Sequence, residues 1–171
     1  MKSIYLEARA LGFKIAVLAG ALLLLSPQVQ ADPGPEGPFS NLSGSWFGSG
    51  IINLTNGAAE RIRCRASYAV NPAGRAAQQT LRCASASYQL AISSNVISQG
   101  GSLSGSWSEA THGVSGSISG RAIGSEIVAN VWGGSFAARF TVRTHGNTQS
   151  VTIRPEGGTD VAAVSIVLHR G

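Results

Sequence analysis

Charged side chains are scarce in this chain. Asp, Glu, Lys and Arg together make up 12% of its 171 residues, which is about half the share found in an ordinary globular protein. Lysine occurs only at positions 2 and 14, whereas the chain contains 22 glycines, nearly twice the usual frequency of about 7%. This composition excludes a coiled coil, an ordinary helical bundle and a chain kept disordered by its charge. It favours many short strands joined by tight turns, and the length suits one domain.

Known catalytic motifs are also missing. The sequence has no Gly-x-Ser-x-Gly elbow, no His-Glu-x-x-His helix, no Cys-x-x-Cys pair and no phosphate-binding loop. His112 and His145 stand three connections apart in a meander and are expected at opposite ends, whereas His145 and His169 can share one end. A metal site at that shared end would lack an acidic residue nearby in sequence, and turn or surface roles are the alternative. We therefore expect a protein that is not an enzyme and that uses no cofactor or metal.

The first 31 residues have the pattern of a secretory signal peptide. A positively charged leader precedes an unbroken run of apolar and small residues at 15–25, and Val29-Gln30-Ala31 supplies the small residues that a signal peptidase reads. Cleavage is expected after Ala31. The alternative is an uncleaved membrane anchor, but the apolar run is shorter than the ~20 residues that a membrane span needs.

Removal of the signal peptide changes the charge of the chain. Residues 32–171 contain ten arginines, no lysine and seven acidic residues, which gives a net charge of +3. A charge of this size suits solubility and does not by itself indicate nucleic acid binding. Residues 32–40 form a Pro-rich spacer that cannot enter a sheet or a helix, and a β domain is expected over residues 41–171. We expect a periplasmic or secreted protein with no transmembrane span once the signal is removed.

Apolar residues recur at every second position from Leu42 onward, which is the period of a strand with one buried face. The clearest runs are residues 103–107, 114–120, 136–142 and 151–153, with Ser, Thr and Arg at the intervening positions. Turn signals separate the runs at intervals of about 8–12 residues; they are Asn56-Gly57, Asn71-Pro72-Ala73-Gly74, Gln99-Gly100-Gly101, His112-Gly113, Gly124, Gly133-Gly134, His145-Gly146-Asn147 and Glu156-Gly157-Gly158. The pattern predicts nine or ten strands, with residues 76–98 forming either one long bent strand or two.

An all-β fold of this kind is predicted to close into a single up-and-down antiparallel β-barrel of about 8–10 strands. An open meander would expose two unpaired edges, and no run of charge protects an edge here. Gly105, Gly116 and Gly120 fall on the buried parity, where they permit the close approach that curling a sheet requires. The alternative is a two-sheet β-sandwich. The few aromatic residues and short connections argue against an outer-membrane barrel.

The two cysteines are expected to form a disulfide, because cysteines of an exported protein usually pair. If Cys64 and Cys83 face each other across a hairpin, the turn falls at Asn71-Pro72-Ala73-Gly74, whose residue types are those of a type I turn. The same register places Tyr68 opposite Gln79, and Ala66 opposite Leu81. The alternative is a pair of free buried thiols.

This hairpin register also predicts a cluster of arginines on the opposite face. Arg61, Arg63 and Arg65 share that face, and Arg82 lies across from Arg65. Like charges opposed on paired strands repel, so the four arginines need water, acidic partners or a ligand. One interpretation is a solvated face partly neutralised by Glu60. The other is a patch that binds phosphate, sulfate or carboxylate groups of an envelope component, which Arg can grip with two hydrogen bonds.

The segment Asn41-Leu-Ser-Gly-Ser-Trp46, with Gly44-x-Trp46 in its first strand, resembles the opening of lipocalins and of the avidin and streptavidin group. Residues 102–109 repeat this short sequence motif. The resemblance implies a calycin-like barrel in which Trp46 closes one end beneath a late arginine, either Arg154 or Arg170. It does not extend to the residues by which avidins hold biotin. Residues 60–68 and 78–85 also look similar to small exported proteins of proteobacteria.

These patterns together favour an exported, non-enzymatic β-barrel that binds a small ligand or a cell-envelope component. Barrels of eight or more strands can enclose a ligand. The candidate residues for the wall of the binding site are the aromatic ones, namely Trp46, Trp107, Tyr88, Phe136 and Phe140; the alternative role for them is core filling. The alternative function is a protein-interaction or inhibitor module that uses the arginine-rich outer face.

Overall fold

The computed structural model describes residues 36–171, and the signal peptide predicted at residues 1–31 lies outside the described residues, as do residues 32–35 of the spacer. The described part forms ten β-strands: β1 Gly44–Leu54, β2 Ala59–Val70, β3 Ala76–Ala84, β4 Gln89–Gln99, β5 Ser102–Glu109, β6 Val114–Ile123, β7 Glu126–Gly133, β8 Phe136–His145, β9 Thr148–Pro155 and β10 Val161–Arg170. Residues 36–171 include no helix long and apolar enough to cross a membrane.

The ten strands close into one antiparallel barrel. Each strand pairs with its neighbours in the sequence, and β1 pairs with β10 from Trp46 opposite Arg170 to Leu54 opposite Val161. The prediction of a single up-and-down barrel is therefore confirmed, and the two-sheet sandwich is excluded. Closure leaves no strand edge unpaired, which is the physical reason for expecting it.

Residues 76–98 form two strands, β3 and β4. The sequence left open whether they form one long bent strand or two. The turn between these strands contains neither Gly nor Pro. Instead, Ser85 and Tyr88 form it: the Ser85 amide donates to the Tyr88 carbonyl at 2.9 Å, and the Tyr88 amide donates to Ser85 Oγ at 2.9 Å. A serine hydroxyl can replace a backbone partner in a turn, which is why the usual turn signal is missing here.

The hairpin of β2 and β3 has the predicted disulfide and register. Cys64 and Cys83 are bonded, with their Cα atoms 4.1 Å apart, and Tyr68 pairs with Gln79. At the turn, the Gly74 amide donates to the Asn71 carbonyl at 2.8 Å, and Gly74 adopts a φ of +65°. The left-handed conformation favours glycine because it has no Cβ. A disulfide is compatible with an oxidising periplasmic or secreted location.

The inward-facing glycines sit where neighbouring strands approach closely. An added Cβ would lie 2.1 Å from the Asn95 carbonyl oxygen at Gly105, and 1.8 Å from the Trp132 carbonyl oxygen at Gly116. At Gly120 the corresponding distance, to the Val128 carbonyl oxygen, is 2.2 Å. No side chain fits at such distances, so the close approach predicted at these three glycines is confirmed.

The segment before β1 covers one end of the barrel. The amides of Gly37 and Phe39 donate to the carbonyls of Ala73 and Gly74, each at 3.0 Å. Phe39 and Leu42 are buried in a small cluster with Ala77 and Leu103. We call the end of the barrel that this segment covers the closed end, and it carries the β2–β3, β4–β5, β6–β7 and β8–β9 turns. The open end carries the other five connections. Residues 36–40 of the predicted spacer thus form turns that pack against the barrel.

Candidate ligand-binding cavity

Contacts of Trp46 and Arg170 stabilise the closed end of the barrel. The Trp46 side chain is fully buried, and its indole Nε1 donates to the Leu42 carbonyl at 2.8 Å. The Arg170 guanidinium carbon lies 4.5 Å from the centroid of the Trp46 ring, within the range of a cation–π contact. The same guanidinium donates to the carbonyls of Asn41 and Ser43. These contacts join β1, β10 and the preceding segment at one point.

This arrangement resolves the choice between the two late arginines. Arg170 is the residue above Trp46, whereas Arg154 is exposed on β9. Trp46 does not line the cavity described below, because its ring is fully enclosed at the closed end. Its contacts are those of a residue that closes the barrel.

A cavity of about 520 Å³ occupies the barrel interior. Its wall is mainly apolar, with contributions from Ile62, Ile92, Ile118, Val131 and Ile153 among others. It reaches solvent at the open end, where its lining includes the exposed residues Gln89, His112 and Asp160. At the end of the cavity that faces the closed end of the barrel, the lining includes Phe39 and Leu42.

Four of the five aromatic residues selected from the sequence line this cavity: Trp107, Tyr88, Phe136 and Phe140. The rings of Trp107 and Phe136 meet edge to face, with centroids 5.6 Å apart. The Trp107 indole donates to the Trp132 carbonyl at 3.3 Å, so its polar atom is satisfied within the wall. Their role in ligand binding stays a prediction.

Glu109 lies at the open end of the cavity with only 5% of its surface exposed. Burial acts to raise the pKa of this carboxyl, but the backbone amides of Ala91, Thr111 and His112 donate to it at 2.7–2.9 Å and lower the pKa to about 2. His112 Nδ1 is also 2.8 Å from Glu109 Oε2. The carboxylate therefore holds the β5–β6 turn and the start of β4 together. Its oxygens are already occupied by these donors.

A second contact spans the loops at the open end. The Tyr88 hydroxyl donates to Asp160 Oδ2 at 2.7 Å, and it joins the β3–β4 turn to the β9–β10 loop. This hydrogen bond, followed by burial, raises the pKa of Tyr88. Glu60 accepts a hydrogen bond from the Ser87 amide at 2.8 Å. Both contacts shape the rim through which a ligand would enter.

A chain of polar side chains crosses the barrel interior nearer the closed end. Ser94 Oγ donates to Gln79 Oε1 at 3.0 Å, and Gln79 Nε2 donates to the Tyr68 hydroxyl at 3.1 Å. The chain continues with the Tyr68 hydroxyl donating to Gln149 Oε1 at 2.8 Å, and Gln149 Nε2 donating to Thr144 Oγ1 at 3.3 Å. Burial raises the pKa of Tyr68 to about 12. We call these five residues the polar chain.

Three members of the polar chain, Tyr68, Gln79 and Ser94, line the cavity, and sequence reasoning did not select them. The signal was present, because the predicted register placed Tyr68 opposite Gln79 on the buried parity. A glutamine on a buried face needs partners. Gln79 bonds Tyr68 of β2 and Ser94 of β4, and Tyr68 in turn bonds Gln149 of β9. The sequence alone does not show which side chains meet across the interior.

The histidines lie as the topology predicts. His112 is at the open end, whereas His145 is the last residue of β8 and His169 the last but one of β10, both at the closed end. His145 Nε2 is 3.4 Å from Ser125 Oγ, and His169 Nδ1 is 3.4 Å from Thr148 Oγ1. In residues 36–171 there is no group of three or more His, Cys, Asp or Glu side chains that could hold a metal ion.

The arginine cluster lies on the outer face of β2 and β3. Arg65 pairs with Arg82 as predicted, and all four arginines are exposed. Arg65 packs its guanidinium carbon 4.9 Å from the centroid of the Phe47 ring. No acidic side chain among the described residues forms an ion pair with any of the four.

Glu60, considered above as a neutralising residue, forms no ion pair with these arginines. It stands on the same strand but on the inward parity, at the open rim, where its carboxylate binds the β3–β4 turn. Successive residues of a strand point to opposite faces, so a residue adjacent in sequence to Arg61 is directed away from it.

The fold is shared with solved structures of low sequence identity. The crystal structure of Rv2717c from M. tuberculosis matches with a TM-score of 0.62 at 15% identity, over 77% of this chain and 94% of that chain. The structure of the S-type phycobiliprotein lyase CPES from Guillardia theta matches with a TM-score of 0.53 at 11% identity, over 78% of this chain and 90% of that chain. Both are β-barrel proteins of the calycin-like kind. No protein-family model and no curated protein matches the sequence.

Proposed function

We propose that this protein binds one small, largely apolar molecule inside the barrel, without catalysis, in the periplasm or outside the cell. The observation that carries the proposal is the interior cavity of about 520 Å³, which is open at one end. Ligand pockets typically measure about 300–1,000 Å³ and combine an apolar wall with a few polar groups. Here Trp107, Phe136 and Phe140 supply the aromatic surface, and the polar chain supplies the hydrogen-bonding groups.

The chemistry of the open end supports binding over reaction. Glu109 is the most buried acidic group there, and its oxygens are occupied by three backbone amides and a histidine ring. A general base needs a free lone pair directed at the substrate proton. Because one fold hosts many functions, the proposal depends on this cavity and not on the fold shared with the neighbours.

A fluorescent probe tests the proposal. N-phenyl-1-naphthylamine is uncharged and brightens in apolar surroundings, so binding in the cavity should raise its emission and quench Trp107. Ala129 lines the cavity, and Ala129→Phe places a ring inside it. We expect this variant to weaken binding by at least about tenfold.

The matched control is Ala84→Phe, because Ala84 is exposed on the outer face of β3. It should bind the probe as the unaltered protein does. Equal binding by both variants, with circular dichroism showing both folded, would place the probe outside the barrel and contradict the proposal. Native mass spectrometry of protein purified from its own envelope is an independent test, because it would identify a retained ligand by mass.

The arginine cluster favours a second function, binding of an anionic partner on the outer face. Arg61, Arg63 and Arg82 have no acidic partner among residues 36–171, and bidentate guanidinium contacts suit phosphate, sulfate and carboxylate. Such a partner is an envelope component or an acidic protein surface.

Paired substitutions test this second function. Arg63→Ser with Arg65→Ser should abolish salt-dependent retention by envelope lipids or polysaccharides. The control is Arg139→Ser with Arg154→Ser, which also removes two exposed arginines, here paired across β8 and β9. If the two double variants are retained equally, binding depends on overall charge and the assigned patch is wrong.

A further inference from the structure

Resting on the proposed function, we propose that the ligand is uncharged and carries a hydroxyl, carbonyl or amide head group, which binds to Gln79 and Ser94 in the deep part of the cavity. The rest of the molecule is apolar and extends toward the open end. Three features of the interior lead to this assignment: unused hydrogen-bonding capacity, the depth of the polar groups and the absence of a cation from the cavity wall.

Gln79 and Ser94 retain hydrogen-bonding capacity after their contacts within the polar chain. A glutamine amide has two N–H donors and two acceptor lone pairs, and a serine hydroxyl has one donor and two lone pairs. Gln79 uses one N–H on Tyr68 and one lone pair on Ser94, while Ser94 uses its only donor on Gln79. One N–H and several lone pairs remain, so the pair offers a donor and acceptors side by side. A hydroxyl, which both donates and accepts, matches this set.

These groups lie deep in the cavity. Along β3, Gln79 is the inward-facing residue next to Ala77, which packs with Phe39 and Leu42 at the closed end. Along β4, Ser94 is followed on the inward face by Val96, which also contacts that cluster. Toward the open end the inward-facing neighbours are Leu81 and Ile92, which are both apolar and pack in the main hydrophobic core. A ligand therefore finds its hydrogen-bonding partners only after its polar end has passed the apolar wall.

The charges around the cavity disfavour an ionised ligand. Among the described residues, no arginine or lysine lines the cavity, and its acidic lining residues, Glu109 and Asp160, lie at the open end. A carboxylate head group would leave solvent, pass two acids and end in the interior with no cation to pair with, which is costly. An ammonium head group would likewise meet no acid beside Gln79. A neutral head group avoids both costs.

Displacement of N-phenyl-1-naphthylamine by three matched probes tests the assignment on the unaltered protein. The probes are 1-decanol, its isomer methyl nonyl ether, which lacks the O–H donor, and decanoate at pH 8. We expect 1-decanol to bind about five- to tenfold more tightly than the ether, the effect of one net hydrogen bond. Decanoate should bind at least about tenfold more weakly than 1-decanol.

A pair of variants assigns the preference to the named residue. Gln79→Leu keeps the size of the side chain but removes its donors and acceptors. It should lower the ratio between alcohol and ether, and the preference that remains comes from Ser94. Gln78→Leu makes the same change at the neighbouring exposed position and should leave the ratio unchanged. If Gln79→Leu does not fold, the comparison of the three probes on the unaltered protein still decides the head-group chemistry.

The outcomes separate this inference from the proposed function. Equal affinity for alcohol and ether, tight binding of decanoate, or an unchanged ratio in a folded Gln79→Leu variant would overturn the head-group assignment while leaving a ligand-binding barrel. Failure of the neutral dye and of all three probes to bind would instead contradict the proposed function itself.

Discussion

The carboxylate of Glu109 should make a measurable, pH-dependent contribution to stability. Its pKa falls from an ordinary 4.5 to about 2, and each pKa unit corresponds to about 1.4 kcal/mol, so the full shift corresponds to roughly 3 kcal/mol. Solvent at the cavity mouth screens part of this, and we expect Glu109→Gln to lower the free energy of unfolding by about 2 kcal/mol at pH 7. Glutamine cannot accept from all the donors, because its NH₂ group would face one of them.

The sign of the pH dependence follows from the direction of the shift. Because the folded pKa is the lower one, the unfolded chain binds more protons between pH 4.5 and about 2. The contribution of Glu109 is therefore complete above pH 4.5 and is lost as pH falls toward 2. At pH 2.5 the pH-dependent part of the gap between the unaltered protein and Glu109→Gln should shrink to about a quarter of its value at pH 7.

Urea unfolding followed by tryptophan fluorescence at pH 7 and pH 2.5 measures this gap, and other titrating groups cancel in the difference. Glu126→Gln is the control, because its carboxylate pairs with Arg143 at 2.7 Å on the exposed outer face. Exposed pairs contribute less than about 1 kcal/mol. A gap for Glu109→Gln that is the same at both pH values would refute the argument that the buried carboxylate is held ionised by its amide donors.

Two other predictions concern the cross-link and the closed end. Cys64 and Cys83 are 19 residues apart, and replacing both with Ala should lower the free energy of unfolding in urea by at most about 3 kcal/mol. The loss is smaller if the two strands of the hairpin already lie close together in the unfolded chain. An unchanged free energy of unfolding would contradict a stabilising disulfide. Arg170→Ala should lower the unfolding free energy by about 1–2 kcal/mol and shift Trp46 emission to longer wavelength, whereas Arg154→Ala, on the exposed face of β9, should change neither. Equal effects from the two arginine variants would refute the stacking role.

Several features of the fold could be read from short stretches of sequence. Cys64, Cys83 and the Asn71–Gly74 turn fixed one hairpin register between them, because a strand pair with a known turn has only one alignment. Two features could not be read correctly from the local sequence: the direction of the Glu60 side chain and the position of the β3–β4 turn. Glu60 was considered as a partner of the arginine face but points inward, and the Ser85–Tyr88 turn carried no glycine or proline to mark it. In both cases the outcome depends on which groups the neighbouring strand presents.

The binding site was only partly predictable from sequence. The aromatic residues Trp107, Phe136 and Phe140 were found because large apolar side chains on the inward parity must lie in the interior. Trp46 was found by the same reasoning, yet it closes the barrel instead of lining the cavity. Its position depends on Arg170, which is 124 positions further along the chain and becomes its neighbour only when β10 closes on β1.

Most strands, the disulfide and the parity of the strands could be predicted from the sequence, because these follow from local chemistry: alternation of side chains, turn residues and the pairing of two thiols. The interior cavity and the contact between Tyr68 and Gln149 across it became visible only once the barrel was closed. Closure of the ten strands brings together side chains from β2, β3, β4, β8 and β9, and the separations of these side chains in sequence carry no periodic signal. Whether inward-facing side chains fill the space or leave it open depends on how all of them fit at once.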